Sequence, residues 1–393
     1  MREAVILGAA RTPIGRFQGG LSSIPAPRLG SIVISEAIRR AGVSPDQVDE
    51  VYMGIILAAG LGQAPARQAT IYAGLPNTVP ATTINKMCGS GLKAVMLGAQ
   101  AIQAGDAEII VGGGMENMSA APYLLERART GYRMGHGTLL DSMITDGLWD
   151  IYNDMHMGSC AELLAREYRI SRNEQDEFAR RSYTRALAAM DSGHFTREIV
   201  PVETTGSQEP SRRVFEDEEP RRFKPDKLAS LPPVFDENGT VTVANASSIS
   251  DGAAAVVLAS AEAAKRCDAR PLARIVGQAV SATAPEWFTI APAAAIERLL
   301  KKVGWSKDDV DLFEINEAYA SVVLAVARKV GLDLERVNVH GGAVALGHPV
   351  GASGARILTT LLYAMQEREA RRGIAAVCLG GGEAVSLAVE RVS

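Results

Sequence analysis

The chain contains an internal repeat. Residues Gly42-Val43-Ser44-Pro45-Asp46-Gln47-Val48-Asp49 match Gly304-Trp305-Ser306-Lys307-Asp308-Asp309-Val310-Asp311 at an offset of 262, with five of eight positions identical. After one indel, Ser90-Gly91 falls over Ser353-Gly354 at an offset of 263. Ala107-Glu108-Ile109-Ile110-Val111-Gly112-Gly113-Gly114 then resembles Ala375-Ala376-Val377-Cys378-Leu379-Gly380-Gly381-Gly382. A duplicated unit must fold twice in the same way, so this pattern constrains the topology more than composition does.

Each half repeats one order of elements. A helical pattern (Ser31 to Ala41; Pro292 to Val303) leads through an S-x-D turn into an apolar strand. A glycine turn next opens a helix (Gly91 to Ala104; Gly354 to Arg368), followed by a buried strand ending in Gly-Gly-Gly. With the strand-like Ala4 to Leu7, this predicts an α/β protein with a mostly parallel or mixed sheet, its halves packed with pseudo-twofold symmetry. Symmetry then brings the equivalent glycine turns to one shared site. Between the halves, Ser119 to Ala246 differs in character: it has Met-, Tyr- and Trp-bearing segments, an amphipathic pattern from Ser171 to Ser192, and a charged run from Glu203 to Lys227. An insertion of this kind reads as a substrate-covering loop domain, or as a packing or oligomerisation element. The expected divisions are 1–118, a loop domain 119–246 that can include a return of the first half, and 247–393.

Composition excludes several classes. A chain of 393 residues with 47% hydrophobic and 22% charged residues can bury a large core, and a net charge of −4 disfavours nucleic-acid or anionic-membrane binding. Cys88, Cys160, Cys267 and Cys378 form no C-x-x-C pair, so neither a disulfide framework nor a zinc ribbon is indicated. With no signal peptide and no apolar run of membrane-spanning length, the expected location is the cytoplasm. Val5 to Ala10 is not followed by G-x-G-x-x-G; G-x-S-x-G, P-loop and H-E-x-x-H motifs are missing, and no metal site is expected.

The chemistry-bearing residues lie in the glycine turns. Cys88 stands in Asn85-Lys86-Met87-Cys88-Gly89-Ser90-Gly91, where a helix start offers free N–H groups to a thiolate. His348 stands between Gly347 and Pro349 at a loop, and Cys378 ends an apolar strand just before Gly380-Gly381-Gly382. Asn316 occupies the place of Gly54 in the first half; taken alone it reads as a turn or cap residue. A lone cysteine is usually a small buried hydrophobe, and Cys160 and Cys267 are read that way. A thiol, a base and free N–H donors together suit acyl transfer.

These turns, with Arg11-Thr12-Pro13-Ile14-Gly15, Asn245-Ala246-Ser247, Asp251-Gly252-Ala253-Ala254-Ala255 and the C-terminal Cys-x-Gly-Gly-Gly, resemble the thiolase family along essentially the whole chain. The resemblance implies a duplicated core in five layers, αβαβα, with a loop domain inserted in the first half. It also implies reversible condensation of two acetyl-CoA to acetoacetyl-CoA, with coenzyme A thioesters as substrates and no tightly bound cofactor. Cys88 would be the acylated nucleophile, His348 its base, and Cys378 the acid/base at the α-carbon. Asn316 would hold a water that makes one oxyanion hole with His348; the backbone N–H groups of Cys88 and Gly380 would make the other. His156, Met157 and Ser247 would meet the pantetheine arm, and Arg221, Arg222 and Lys224 the nucleotide phosphates. Trp287, Phe288, Tyr319, Met157 and Leu148 are expected around the acyl group, where bulk limits chain length. Two residues depart from the usual pattern: Tyr319 stands where phenylalanine is usual, and Glu383 follows the glycine triplet. The resemblance further implies a homo-oligomer, a tetramer in preference to a dimer, with residues 126–140 as a candidate contact. Alternative readings are a broader 3-ketoacyl-CoA thiolase and a non-catalytic CoA- or lipid-binding protein on the same scaffold. A decarboxylating ketosynthase is disfavoured, because His340 lies in no matching motif for a second catalytic histidine.

Overall fold

The residues identical in the two halves recur because they do the same work in each. Helices Ala26–Ala41 and Ala291–Val303 both stop at a left-handed glycine, Gly42 (φ 68°) and Gly304 (φ 70°), whose N–H groups return to Arg39 O and Leu300 O. Three residues past Ser44 and Ser306, the side chains of Gln47 and Asp309 accept the backbone N–H of those serines at 2.8 and 2.7 Å. Asp49 then accepts the N–H groups of Glu108 and Ile109 at 2.7 and 2.9 Å, and Asp311 accepts those of Arg371 and Arg372 at 2.7 and 2.8 Å. Each aspartate thereby sets the register of a parallel pair: Glu50–Gly54 with Ile109–Asn117, and Leu312–Ile315 with Arg372–Leu379.

The computed structural model describes residues 2–204 and 212–392. In the first half the strand order is Ala81–Ile84, Glu50–Gly54, Ile109–Asn117, Ser250–Ser260, Ala4–Arg11; in the second it is Leu312–Ile315, Arg372–Leu379, Glu383–Arg391, Ala273–Ala282. Both begin with parallel pairing and finish with antiparallel strands. The sheets join where Val5 and Ile6 pair with Arg274 and Ala273. The pairing of Val51 with Ala81 survives in the second half as a single bridge between Phe313 and Val337.

One expected boundary changes. Strand Ser250–Ser260, placed by the sequence reading in the unit 247–393, belongs to the first half. Its fully buried residues satisfy the hydrogen bonds of both Ala4–Arg11 and Ile109–Asn117. The loop segment is therefore an excursion between two strands of the first sheet.

Alternation along the strands builds the layers, since successive side chains point to opposite faces. Ile109 and Val111 pack outward with Leu29, Val33 and Ala37 of helix Ala26–Ala41. Ile110 packs inward with Leu92 and Val95 of helix Ser90–Ala104 and Ile357 and Leu361 of helix Ser353–Glu367. In the second sheet, Val377 faces that same central layer, while Ile374 and Ala376 face Ile296, Leu299 and Val322 of helices Ala291–Val303 and Ala320–Val330. The result is αβαβα, with both sheets covered on both faces. The two central helices touch through their backbones: a Cβ on Gly91 would sit 2.9 Å from Ala355 N, and one on Gly354 would sit 2.5 Å from Leu92 N. This contact joins the repeated Ser-Gly pairs near the pseudo-twofold axis.

The excursion is anchored by charge. Arg11 is fully buried and donates to both carboxylate oxygens of Asp217 at 2.7 and 2.9 Å and to Glu198 at 2.5 Å, while Asp217 also accepts the N–H of Ile14. The Arg-Thr-Pro-Ile-Gly stretch is thus a clamp between the first strand and the inserted segment. Within that segment, helix Arg172–Asp191 starts at Ser171, which exchanges capping bonds with Glu174. The stretch 125–139 extends from a two-residue ladder between Tyr123–Leu124 and Leu140–Asp141, and Met134 on it is wholly exposed. No helix among the described residues is long and apolar enough to cross a membrane.

Candidate active site

The repeated glycine turns meet at a cavity of about 400 Å³ lined by Cys88, His348 and Gly380 together with Met157, Phe288 and Tyr319. Cys88 is presented by a tight turn. Met87 adopts φ 47°, a left-handed conformation unusual for a side-chain-bearing residue, and the turn is held by Asn85 Oδ1 accepting Met87 N–H at 3.0 Å and Met87 O accepting Ser90 N–H at 2.9 Å. Helix Ser90–Ala104 follows at once. The backbone N–H groups of Gly380 and of Cys88 itself favour the Cys88 thiolate. Burial pushes the thiol up to about 12, an effect the two N–H groups oppose and the Glu116 carboxylate reinforces.

His348 is oriented from both sides. Its Nδ1 lies 2.5 Å from Ser353 Oγ, and that hydroxyl lies 2.9 Å from Pro349 O. A hydroxyl has one proton, so Ser353 donating to Pro349 O must accept from Nδ1–H, which leaves Nε2 as the nitrogen that carries the lone pair. Nε2 is 3.3 Å from Asn316 Nδ2, which donates to it. Burial first, and the nearby Arg356 charge second, push the imidazole down to about 3, so it is neutral near pH 7 and able to accept a proton. Gly347 before it adopts φ +106°, and a Cβ there would collide with Ser250 Oγ.

Cys378 and Asn316 lie behind the cavity wall. Both are essentially inaccessible, and burial together with the neighbouring Cys88 raises the Cys378 thiol. Asn316 Oδ1 has no hydrogen-bond partner although it is buried. A resting thiol and a neutral imidazole make a definite prediction. Between about pH 6 and 9, alkylation of Cys88 by iodoacetamide should quicken about tenfold per pH unit without levelling, because only the thiolate reacts. A plateau below pH 7 would mean a preformed thiolate–imidazolium pair.

The substrate-contact candidates divide. His156, Met157, Ser247, Phe288 and Tyr319 line the cavity, with Leu148. His156 Nδ1 accepts the N–H of Gly158 at 2.9 Å, its ring stacks on Phe235 at 4.8 Å, and Phe235 meets Tyr319 edge-on at 6.3 Å. Ser247 donates to Ala318 O at 2.9 Å. Arg221 is not brought to this cavity: it bonds Glu216 and Asp191, each at 3.1 Å, beside a separate surface cleft. Attraction to two local carboxylates holds it there. Arg222 lines that same cleft and, with Lys224, also a groove that shares Val243 with the cavity. Trp287, expected near the acyl group, faces a different surface cleft with Leu163 and Arg166, because its turn directs only Phe288 inward. Glu383 forms an ion pair with Lys86, tying the Cys88 turn to the strand that follows Gly380-Gly381-Gly382.

Two supporting residues had no assigned role in the sequence. Ser353 was visible in the histidine motif, but its contact to Nδ1 depends on how the loop bends. Glu116 is fully buried and accepts N–H groups from Ile56, Leu57 and Gly351 at 3.0, 3.2 and 2.9 Å, joining the loop after strand Glu50–Gly54 to the His348 loop. Burial first pushes it up to about 7, against those three donors. A carboxylate in an apolar strand is itself anomalous and was the available signal.

Fold and site together define a class: the chain belongs to the thiolase family. Residues 4–262 match the thiolase N-terminal domain and residues 269–391 the thiolase C-terminal domain. Along its whole length it is similar to acetyl-CoA acetyltransferase of Cupriavidus necator, 54% identical over 401 residues and covering 100% of both chains. It is 52% identical over 391 residues to acetyl-CoA acetyltransferase 2 of Arabidopsis thaliana, covering 99% of this chain and 97% of the relative. The crystal structure of the Bacillus anthracis acetyl-CoA acetyltransferase superimposes with a TM-score of 0.98 at 44% identity, covering 100% of this chain and 99% of that one.

Proposed function

We propose that this enzyme transfers acetyl groups between coenzyme A thioesters, interconverting two acetyl-CoA with acetoacetyl-CoA and CoA through an acetyl group on Cys88. The carrying observation is that Cys88, His348 and Gly380 all line one mostly apolar cavity, with His348 held in the tautomer that leaves the Nε2 lone pair. In thiolysis, Cys88 sulfur attacks the ketone carbon of acetoacetyl-CoA while His348 Nε2 takes the thiol proton. The carbon–carbon bond breaks, its electron pair forms the enolate of acetyl-CoA, and Cys378 Sγ–H protonates the α-carbon. CoA thiol then gives its proton to the Cys378 thiolate and attacks the acetyl-enzyme; Cys88 leaves, takes back its proton from His348, and a second acetyl-CoA is released. The charges develop on two different oxygens, and two donor sets suit them: Cys88 N–H with Gly380 N–H, and protonated His348 with a water on Asn316.

The pantetheine arm runs past His156, Met157 and Ser247, and the phosphates approach Arg222 and Lys224. Phe288 and Tyr319 restrict the acyl group to short chains. Four free thiols suit the reducing cytoplasm. The stretch 126–140 serves tetramer assembly, to be read by light scattering. Purified protein mixed with acetoacetyl-CoA should consume it only when CoA is added. No CoA-dependent loss would favour a non-catalytic binding protein, and equal efficiency on 3-ketohexadecanoyl-CoA would favour a broad 3-ketoacyl-CoA thiolase.

A further inference from the structure

Outside the cavity, two imidazoles and a carboxylate converge from segments far apart in sequence. His194 opens the short turn His194–Arg197, Glu367 is the last residue of helix Ser353–Glu367, and His340 begins the stretch that leads to His348. Glu367 Oε2 lies 2.8 Å from His194 Nδ1 and 3.3 Å from His340 Nε2. The three ligand atoms all fall within 4.8 Å of one another. The two rings stack in parallel, 5.0 Å between centroids with an interplanar angle of 4°. His340 is only 6% exposed, yet its Nε2 makes no hydrogen bond.

We propose that His194, His340 and Glu367 form a binding site for a divalent first-row transition cation, with Zn2+ as the best fit. Two neutral imidazoles and one carboxylate are the ligand set such ions prefer, and hard ions such as Mg2+ and Ca2+ would want more oxygens. Ligand bonds of about 2.0–2.2 Å put ligand atoms roughly 3.3 Å apart in a tetrahedral site. One pair already has that spacing, and His194 and Glu367 are partly exposed side chains able to adjust. His340 Nε2, buried and without a well-formed hydrogen bond, is the most fixed of the three ligand atoms and binds a cation in the tautomer that carries its proton on Nδ1. Opposing charge comes from Arg368 near His340, whereas Arg197 is turned to Gln366 Oε1 at 2.9 Å. The bound ion has a structural consequence: it clips the stretch before His348 to the end of the helix that begins with Ser353, the two sides of the histidine's support.

The probe is Zn2+ alone in equilibrium dialysis, with Co2+ absorption reporting the ligand atoms. A Cys88→Ser, Cys267→Ser background removes the two partly exposed thiols as competing ligands. One equivalent should bind in both backgrounds, without a sulfur-to-cobalt charge-transfer band. His194→Ala and Glu367→Gln, at partly exposed positions, should each weaken binding by about tenfold or more, and Zn2+ should raise the thermal midpoint of the unmodified protein but not of these variants. Failure to bind an equivalent, loss of binding in the background without the two thiols, or binding indifferent to both substitutions would overturn the assignment. None of these readouts depends on turnover.

Discussion

Cys378→Ala should keep the acetyl-enzyme and lose the carbon–carbon chemistry, whereas Cys88→Ala should lose both. The two thiols are distinguished by position. Cys88 opens on the cavity, whose lining it shares with Gly380 and His348. Cys378 is 1% exposed behind the wall, in strand Arg372–Leu379 two residues before Gly380. An attacked carbonyl must approach the first; the second can only pass a proton to or from an α-carbon already held there. Removing Cys88 should lower turnover at least about 10⁴-fold, leaving what positioning and oxyanion donors supply. Removing Cys378 should lower condensation and solvent-deuterium exchange into acetyl-CoA by about 10²–10⁴-fold, the range of a general acid–base group, while acetyl transfer from acetyl-CoA to Cys88 continues. Mass spectrometry of the acetylated peptide, beside the deuterium measurement, reads both halves. Acetyl found on Cys378, or normal exchange without it, would mean the roles are reversed.

The largest stability effect should come from Arg11. Arg11→Ala leaves the carboxylates of Glu198 and Asp217 buried without their common cation, and breaking such a network from one side costs about 3–5 kcal/mol. The cost is desolvation left uncompensated, so it should shrink when the acids are neutralised as well. Arg11→Met combined with Glu198→Gln and Asp217→Asn should recover a large part of the loss, because the amide oxygen introduced by the last change can still accept the Ile14 N–H. Urea unfolding followed by fluorescence and circular dichroism gives the comparison. A loss under about 1 kcal/mol for Arg11→Ala, or no recovery in the triple variant, would show that the clamp contributes little.

The motifs divide into those whose purpose is local and those whose purpose is not. Gly42 and Gly304 end helices, Gln47 and Asp309 close turns, and all four act within a few residues of themselves; the S-x-D pattern could therefore be read along the chain. The continuous apolar runs Ile109 to Val111 and Ile374 to Val377 likewise announced buried strands. Placement of Ser250–Ser260 was not readable, because a buried strand satisfies whichever sheet has an open edge. Its apolar sequence carries no address.

The same division runs through the site. Cys88, His348 and Cys378 stood out because glycine and proline around them allow close backbone approach, a property written in neighbouring residues. Arg221, Arg222 and Lys224 could not be told apart from their identities: a guanidinium goes where the nearest carboxylates are, and for Arg221 these are Asp191 and Glu216. Trp287 and Phe288 are adjacent in sequence yet face different clefts. The duplication, the alternation of helices with strands and the glycine turns were thus determined by the sequence itself, since hydrophobic period and turn chemistry act over short range. The tautomer of His348, the anchoring by Arg11, the tie between Lys86 and Glu383 and the meeting of His194 with His340 were decided by the tertiary structure alone. Charge and hydrogen-bond partners are selected by distance in space, and spacing along a chain does not encode that distance.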